Sequence, residues 1–329
     1  MFNPYKYAFC AVSSRVRLAR NLADFPFSSK AGGGANEPII ELVARTLRPL
    51  GQFTLIKMSE LDALQAEYLK EKYVISPLLM QNRISGGVIV NEDETLSVMI
   101  NEEDHLRIQC VAGGFDLFGA YENLVFVSNK LAERMKFAFD SDYRYVTACL
   151  TNLGTGMRAS VMLLLPALTR SGKIKKYISE MKALGLVVRG AFGEGSEPEG
   201  CLYQISNEVT LAYDEEEILG MVDFCASKIC EAEIAERNER FRNNPLEVED
   251  ECMRAYAILK SARLISYEEF LRLYVSASLG GYYGFYNVDV GLLNSLLVNM
   301  RPAVLEYVKT PENKQKRDEI RAQTLRGVL

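Results

Sequence analysis

A single histidine, His105, serves the whole 329-residue chain. A catalytic His triad, a His-rich metal centre or several imidazole acid–base groups therefore have almost nothing to draw on. The cysteines lack pattern. Cys10, Cys110, Cys149, Cys201, Cys225, Cys230 and Cys252 form no CxxC pair, and seven thiols cannot all pair. Neither a zinc ribbon nor a disulfide framework is indicated, and a reducing, cytoplasmic compartment is expected. Long apolar runs are missing as well: the longest, residues 161–168, holds Pro166 and falls far short of the ~20 residues that span a bilayer. The opening Met1-Phe2-Asn3-Pro4-Tyr5-Lys6 lacks the basic and apolar regions of an export signal. Positive charge is not in excess either. With 38 Lys and Arg against 43 Asp and Glu, the net charge is -5, which argues against nucleic acid as the main partner. What is there, 48% hydrophobic and 25% charged residues, suits a soluble chain with a full core.

Two textures follow one another along the chain. Up to about Tyr213, short β-like runs at residues 88–90, 96–100, 107–111, 145–148, 186–188 and 202–205 alternate with helical stretches at 38–50, 59–72, 121–136 and 159–184. The last of these is broken near Pro166 and at Ser171-Gly172. Asn91-Glu92-Asp93-Glu94 reads as a hairpin turn. The mixture predicts an α+β fold with an antiparallel or mixed sheet. From Asp214, a capping box with Glu217 opens a long helix whose apolar side is Ile218, Met221, Val222, Cys225 and Ile229, ending at Asn243-Asn244-Pro245. Beyond it, residues 247–262, 266–279 (capped by Ser266 with Glu269), 290–298 and 314–325 all read as helix. The division is placed between residues 1–232 and 233–329.

The usual phosphate loops are absent: there is no GxxxxGK[ST], no HRD with DFG, and no GxGxxG at a strand-to-helix turn. Guanidinium forks are another way to hold phosphate, since they match its oxygens bidentately and stay charged. Arg15 and Arg17 fall on one face if their segment is extended. Asn101-Glu102-Glu103-Asp104-His105-Leu106-Arg107 packs three carboxylates, an imidazole and an Arg after an apolar run, a density of acids that a cationic ligand explains better than a solvated loop. Cys149-Leu150-Thr151-Asn152-Leu153-Gly154-Thr155-Gly156-Met157-Arg158 reads as a strand end, a Gly-rich loop and a helix start carrying Arg158, where a helix N-terminus would add anion affinity. Residues 189–200 carry Arg189 and Glu194 in a Gly-rich loop able to close on a ligand. Each segment alone has a bland reading as surface turn or loop. Together they suit one reaction, phosphoryl transfer from ATP to a guanidinium: Arg and Mg²⁺ neutralise the donor, and carboxylates orient the acceptor and take its proton.

Four motifs then carry a resemblance: SSRVRLARNL at residues 13–22, NEEDHLRIQC at 101–110, TNLGTGMRASVMLLLPAL at 151–168 and GEGSEPEGCLYQISNEVTL at 193–211. The chain resembles the guanidino (phosphagen) kinase family over nearly its whole length. The likeness is strongest to the bacterial protein-arginine kinase (McsB) branch, whose RDxxRA element is matched at Arg317-Asp318-Glu319-Ile320-Arg321-Ala322. The resemblance implies an antiparallel sheet flanked by helices, followed by a helical C-terminal domain. It implies that Arg15, Arg17, Arg107, Arg158 and Arg189 bind ATP, that Glu103 and Glu194 orient and deprotonate the acceptor, that Cys149 supports it, and that Arg317 and Asp318 bind phosphoarginine. Mg²⁺ would be held mainly through nucleotide phosphates, with no residue assigned as a metal ligand. Only twelve residues precede Ser13, against a whole helical domain in small-molecule phosphagen kinases, so an open acceptor site for arginine in proteins is expected. The family's Pro after the active-site Cys is Leu150 here, and a family His is replaced near Tyr73. The implied setting is a stress response feeding a Clp-type ATPase and protease, with a zinc-binding, McsA-like activator, no membrane, and a homo-oligomer left open. A kinase for free arginine and a non-catalytic phosphoarginine adaptor are the alternatives.

Overall fold

The computed structural model describes residues 7–27, 36–51, 53–190 and 199–329. Ten strands are present among them: β1 (Ala11–Arg20), β2 (Phe53–Lys57), β3 (Gly87–Asn91), β4 (Leu96–Ile100), β5 (Leu106–Gly113), β6 (Phe139–Asp140), β7 (Arg144–Tyr145), β8 (Met157–Leu164), β9 (Leu186–Gly190) and β10 (Leu202–Asn207). Eight of them form one sheet in the order β2-β3-β4-β5-β1-β8-β10-β9, every neighbouring pair antiparallel. The helices of this part are α1 (Pro38–Leu47), α2 (Ala63–Glu71), α3 (Pro77–Gln81), α4 (Leu117–Ala132), α5 (Pro166–Arg170), α6 (Ile174–Ala183) and α7 (Glu215–Asn243). They are followed by α8 (Pro245–Ser261), α9 (Tyr267–Tyr283), α10 (Val290–Asn299), α11 (Pro302–Lys309) and α12 (Lys314–Val328).

Period-two alternation decides what each sheet face does. Val16 and Leu18 of β1, Ile108 of β5, Ala159, Val161 and Leu163 of β8 and Ile205 of β10 point into the main core against α1, α4, α6 and α7. Among the described residues, the opposite face is covered at two places. Met99, Val88 and Val90 pack under α2 and α3 with Leu69 and Leu79. Leu164 and Leu202 pack into the second core with Phe270 and Leu271 of α9 and Leu296 of α10. The strip between the covers is polar. The covers meet where α2 touches α11: the rings of Tyr68 and Tyr307 lie 4.4 Å apart, and the Glu71 carboxylate accepts from the Ala303 and Val304 N–H groups at 2.8 and 3.0 Å.

One expectation fails here. Residues 159–164, read from the sequence as the start of a helix, are the strand β8 in the middle of the sheet. Their Ala, Met and Leu content favours helix, but pairing with both β1 and β10 overrides that preference. Helix begins only after Pro166. The long helix from Asp214 is present with its full capping box, and Ser266 caps α9. An additional helix, α11, begins at Pro302, between the stretches 290–298 and 314–325 that the sequence marks as helical. Residues 232 and 233 both lie inside α7, which passes unbroken from the sheet to the helical part. There, buried Glu233 accepts from the Ala167 and Leu168 N–H groups at 3.0 and 2.9 Å and pairs with buried Arg237 at 2.7 Å. Arg237 in turn donates to the carbonyls of Phe9 and Leu164. Among the described residues no helix is long and apolar enough to cross a membrane.

Candidate active site

Strand register assembles the arginines. Arg15 lies opposite Val111 on one side and Ser160 on the other, Arg17 lies between Gln109 and Arg158, and Ala19 is opposite Arg107. Residues directly opposite in an antiparallel pair share a face. Arg189 is opposite Gln204, itself opposite Met162, so it joins the same face two strands further on. All five arginines therefore share one face, with Arg15, Arg17, Arg107 and Arg158 on the strip between the two covers and Arg189 out on the end strand β9. Arg17, Arg107 and Arg158 line one cavity of about 190 Å³, while Arg15 lines an adjoining cavity of about 710 Å³. Arg189 lines neither.

Among the described residues, the arginines of this strip press on one another. Burial, together with Arg107 and Arg158, pushes the Arg15 guanidinium down to about 10. Burial and the neighbouring Arg15, Arg107 and Arg158 press Arg17 well below its ordinary value, with Glu102 opposing. The Arg17 Nε is buried without a hydrogen-bond partner among the described residues. Arginine does not deprotonate in practice, so the meaning of such a cluster is an unmet demand for an anion carrying several charges. Arg158 donates to the Ser206 hydroxyl, and Arg107 pairs with Glu102 at 2.5 Å. Glu102 also accepts from the Ser76 hydroxyl, a holding role the sequence reading did not assign to it.

The acidic loop between β4 and β5 sits beside these groups. Asn101, at φ 58°, turns the chain, and its side chain donates to the Asn36 and Ser85 carbonyls at 2.9 and 2.7 Å. Asp104 is buried, accepting from Asn21 and from the Ala148 N–H, each at 2.6 Å. That second bond ties the loop to the segment carrying Cys149. His105 is also buried. Its Nδ1 accepts from the Leu22 N–H at 3.0 Å, leaving Nε2–H to donate to the Pro26 carbonyl at 2.8 Å, and burial lowers its pKa. It packs and positions its neighbours. Glu103 is the exposed acid of the three and lines the small cavity with the arginines. Burial and the nearby Asp104 and Glu102 raise its pKa, while a hydrogen bond from Cys149 and the charge of Arg107 oppose the rise. A carboxylate with a raised pKa inside a cavity is poised to accept a proton.

Cys149 precedes a single 3-10 turn at residues 150–152, and its Sγ is 3.0 Å from the Thr151 hydroxyl. Leu150 is 82% exposed. The Gly-rich loop then feeds a strand and not a helix, so no helix N-terminus contributes to anion binding at Arg158: this part of the sequence reading is corrected. The glycines serve close packing. Gly154 and Gly156 have φ of 109° and 61°, and a Cβ on Gly156 would lie 2.6 Å from the Ala19 carbonyl. Arg20, which sequence reasoning passed over, fastens this loop: fully buried, it donates to the Thr155 carbonyl at 2.7 Å, pairs with Glu215 at 3.2 Å and stacks 3.5 Å over the Tyr145 ring. Its neighbours Arg15 and Arg17 face the other way, a difference that odd and even spacing predicts. Glu194 lies outside the described residues.

Arg317 and Asp318 are far along the chain on α12 and line neither cavity. Arg317 pairs with Glu306 of α11 at 3.0 Å. Asp318 pairs with buried Arg321, which also donates to the Met300 and Ile265 carbonyls at 2.9 and 2.8 Å. Of the two arginines in RDxxRA, the second is thus a packing residue.

Known proteins resemble this chain in sequence and in fold. The ATP:guanido phosphotransferase C-terminal catalytic domain matches residues 36–236, and the protein-arginine kinase McsB C-terminal domain matches residues 245–329. A protein-arginine kinase of Halothermothrix orenii is 41% identical over 322 residues, covering 97% of this chain and 92% of that one. One from Symbiobacterium thermophilum is 39% identical over 98% of this chain and 94% of its own length. In fold, the chain resembles a lombricine kinase, with a TM-score of 0.63 and 24% identity over 71% of this chain and 68% of the kinase. It is equally similar to the duplicated taurocyamine kinase of Schistosoma mansoni, of whose chain it covers 34%. An antiparallel sheet with its arginines on one face, continued by this particular helical domain, makes the chain a member of the guanidino phosphotransferase family, in its protein-arginine kinase branch.

Proposed function

We propose that the chain transfers the γ-phosphoryl group of ATP to the guanidinium of arginine residues in proteins. The observation that carries this reading is the small cavity in which Arg17, Arg107 and Arg158 meet Glu103, a polyanion site and a proton acceptor sharing one space. Arg15, Arg17, Arg107, Arg158 and Arg189 hold the donor phosphates. Glu103, with Glu194, orients the acceptor guanidinium and removes its proton as the N–P bond forms and the bond to the ADP oxygen breaks. Cys149, hydrogen-bonded toward Glu103, supports that carboxylate. Glu102 and Asp104 are already engaged by Arg107, Ser76, Asn21 and Ala148. Mg²⁺ is accordingly assigned to the nucleotide's own phosphates, where it supplies charge neutralisation.

The same reading divides the chain at about residues 232 and 233 and assigns Arg317 and Asp318 to phosphoarginine recognition. There an incoming phosphate would displace Glu306 from Arg317. It also places the protein in the cytoplasm, where it marks substrates for a Clp-type protease, with an activating partner. The test is mass spectrometry of phosphoarginine after incubation with Mg-ATP, comparing an arginine-rich protein with free arginine as acceptor. Glu103→Gln should reduce transfer by orders of magnitude while nucleotide still binds. Wild-type turnover in that variant, or a preference for free arginine, would sink the proposal.

A further inference from the structure

The larger cavity, beside Arg15, has two walls of different origin. One is the sheet, through Ser160, Met162 and Gln204; the other is the helical C-terminal part, through Asp289, Asn294 and Val298. We infer that the helical domain supplies the second wall of the nucleoside half of the ATP site, so that base and ribose are held between the sheet and α10. This rests on the proposed function and deepens it.

Three observations carry the inference. The first is continuity. The arginines fix the phosphates, and Arg15 also lines the larger cavity, whose volume of about 710 Å³ lies within the few hundred to a thousand Å³ of small-molecule sites. A nucleotide whose phosphates sit on the arginine strip has this space beside it for the rest of the molecule.

The second is chemistry on the helical wall. The Asn294 Oδ1 accepts from the hydroxyl of buried Tyr274 at 2.6 Å, which fixes the amide orientation and turns its NH₂ donors to other use. One oxygen of Asp289 caps α10 through the Leu292 N–H at 3.0 Å; a carboxylate has a second oxygen, which suits sugar hydroxyls. Val298 and Met162 supply apolar surface on the two sides.

The third is a physical link between this wall and the phosphate end. Tyr73 is held at φ 61°, a costly conformation for a bulky side chain, with its carbonyl accepting from Gln109. The Arg301 guanidinium, at the head of α11, lies 4.6 Å from the Tyr73 ring centre and bonds its hydroxyl, and the Arg15 guanidinium lies 6.0 Å from the same ring. Arg301 also donates to the Glu71 carbonyl at 3.2 Å. Tyr73 is therefore a positioning residue shared by the helical domain and a phosphate arginine.

The test uses the full chain and two probes, ATP and inorganic tripolyphosphate, with binding followed by calorimetry. Val298→Trp fills the cavity from the helical side. Asn294→Asp keeps the acceptor that Tyr274 needs and removes the NH₂ donors. Both variants should weaken ATP by at least about tenfold, some 1.4 kcal/mol or more, while tripolyphosphate changes by less than about twofold. In the kinase assay KM for ATP should rise with kcat nearly unchanged, the mark of lost uniform binding. Unchanged ATP affinity in both variants, or equal weakening of ATP and tripolyphosphate, overturns the inference. The two readings fail separately: the kinase reading falls when wild-type protein forms no phosphoarginine, and this one when the variants treat ATP as wild-type does.

Discussion

Two regions of this molecule withdraw an arginine from solvent with opposite consequences, Arg237 fully and Arg17 in part. On α7, Arg237 has a carboxylate partner in Glu233 and gives its remaining donors to the Phe9 and Leu164 carbonyls. Although burial disfavours its charge, those surroundings hold the guanidinium above its ordinary value. On the sheet, Arg17 faces Arg15, Arg107 and Arg158, and its pKa is driven down. A buried cation whose partners belong to the chain is architecture. One whose neighbours are mostly other cations is a site waiting for a ligand.

Three substitutions press on that contrast. The largest effect is expected from Arg17→Met, which should lower phosphoarginine formation on the order of 10²- to 10³-fold while leaving the thermal midpoint unchanged or slightly raised, because a repelled cation is lost. A marked fall in Tm would place Arg17 with the architectural arginines. Glu233→Ala should do the reverse. Leaving Arg237 buried without its partner should cost about 3–5 kcal/mol of stability, read by urea unfolding, with turnover per folded molecule preserved. The smallest effect on stability concerns Glu103. A carboxyl whose folded pKa is raised binds protons more readily when folded, so its contribution to stability declines as pH climbs from the unfolded value through the folded one. Glu103→Gln should therefore raise Tm slightly at neutral pH and leave it unaltered in acid. In the wild type, the acid limb of activity should fall at a higher pH than an ordinary carboxylate would give; a limb at the ordinary position would remove Glu103 as the base.

Much of this contrast was legible in the sequence. Alternation alone put Arg15 and Arg17 on one face, and local cap chemistry gave the start of α7 at Asp214 and of α9 at Ser266. What escaped was set by distant partners. Residues 159–164 look helical until β1 and β10 claim them, and that strand is what brings Arg158 opposite Arg17. Arg20 sits in the same basic run as Arg15 and Arg17, yet its task depends on Thr155 and Glu215, more than a hundred residues away. Glu102 and Glu103 are adjacent acids with different fates because only one reaches Ser76 and Arg107. The cavity wall on α10 had no local signal at all, since nothing in Asp289, Asn294 or Val298 reports that the sheet lies opposite.

The carboxylate of Glu71 at the head of α11 has a bearing on how the chain assembles. A helix ordinarily carries its N-terminal cap next door in sequence, but this one borrows it from 232 residues earlier. During synthesis the cap leaves the ribosome long before the helix it completes, so the sheet-side lobe can be folded and in place when α11 emerges. In refolding from denaturant that order is lost, and the loop joining Glu71 to Ala303 must close by diffusion. The head of α11 thus has its cap already made when the protein is synthesised, and must find it again when the protein is refolded.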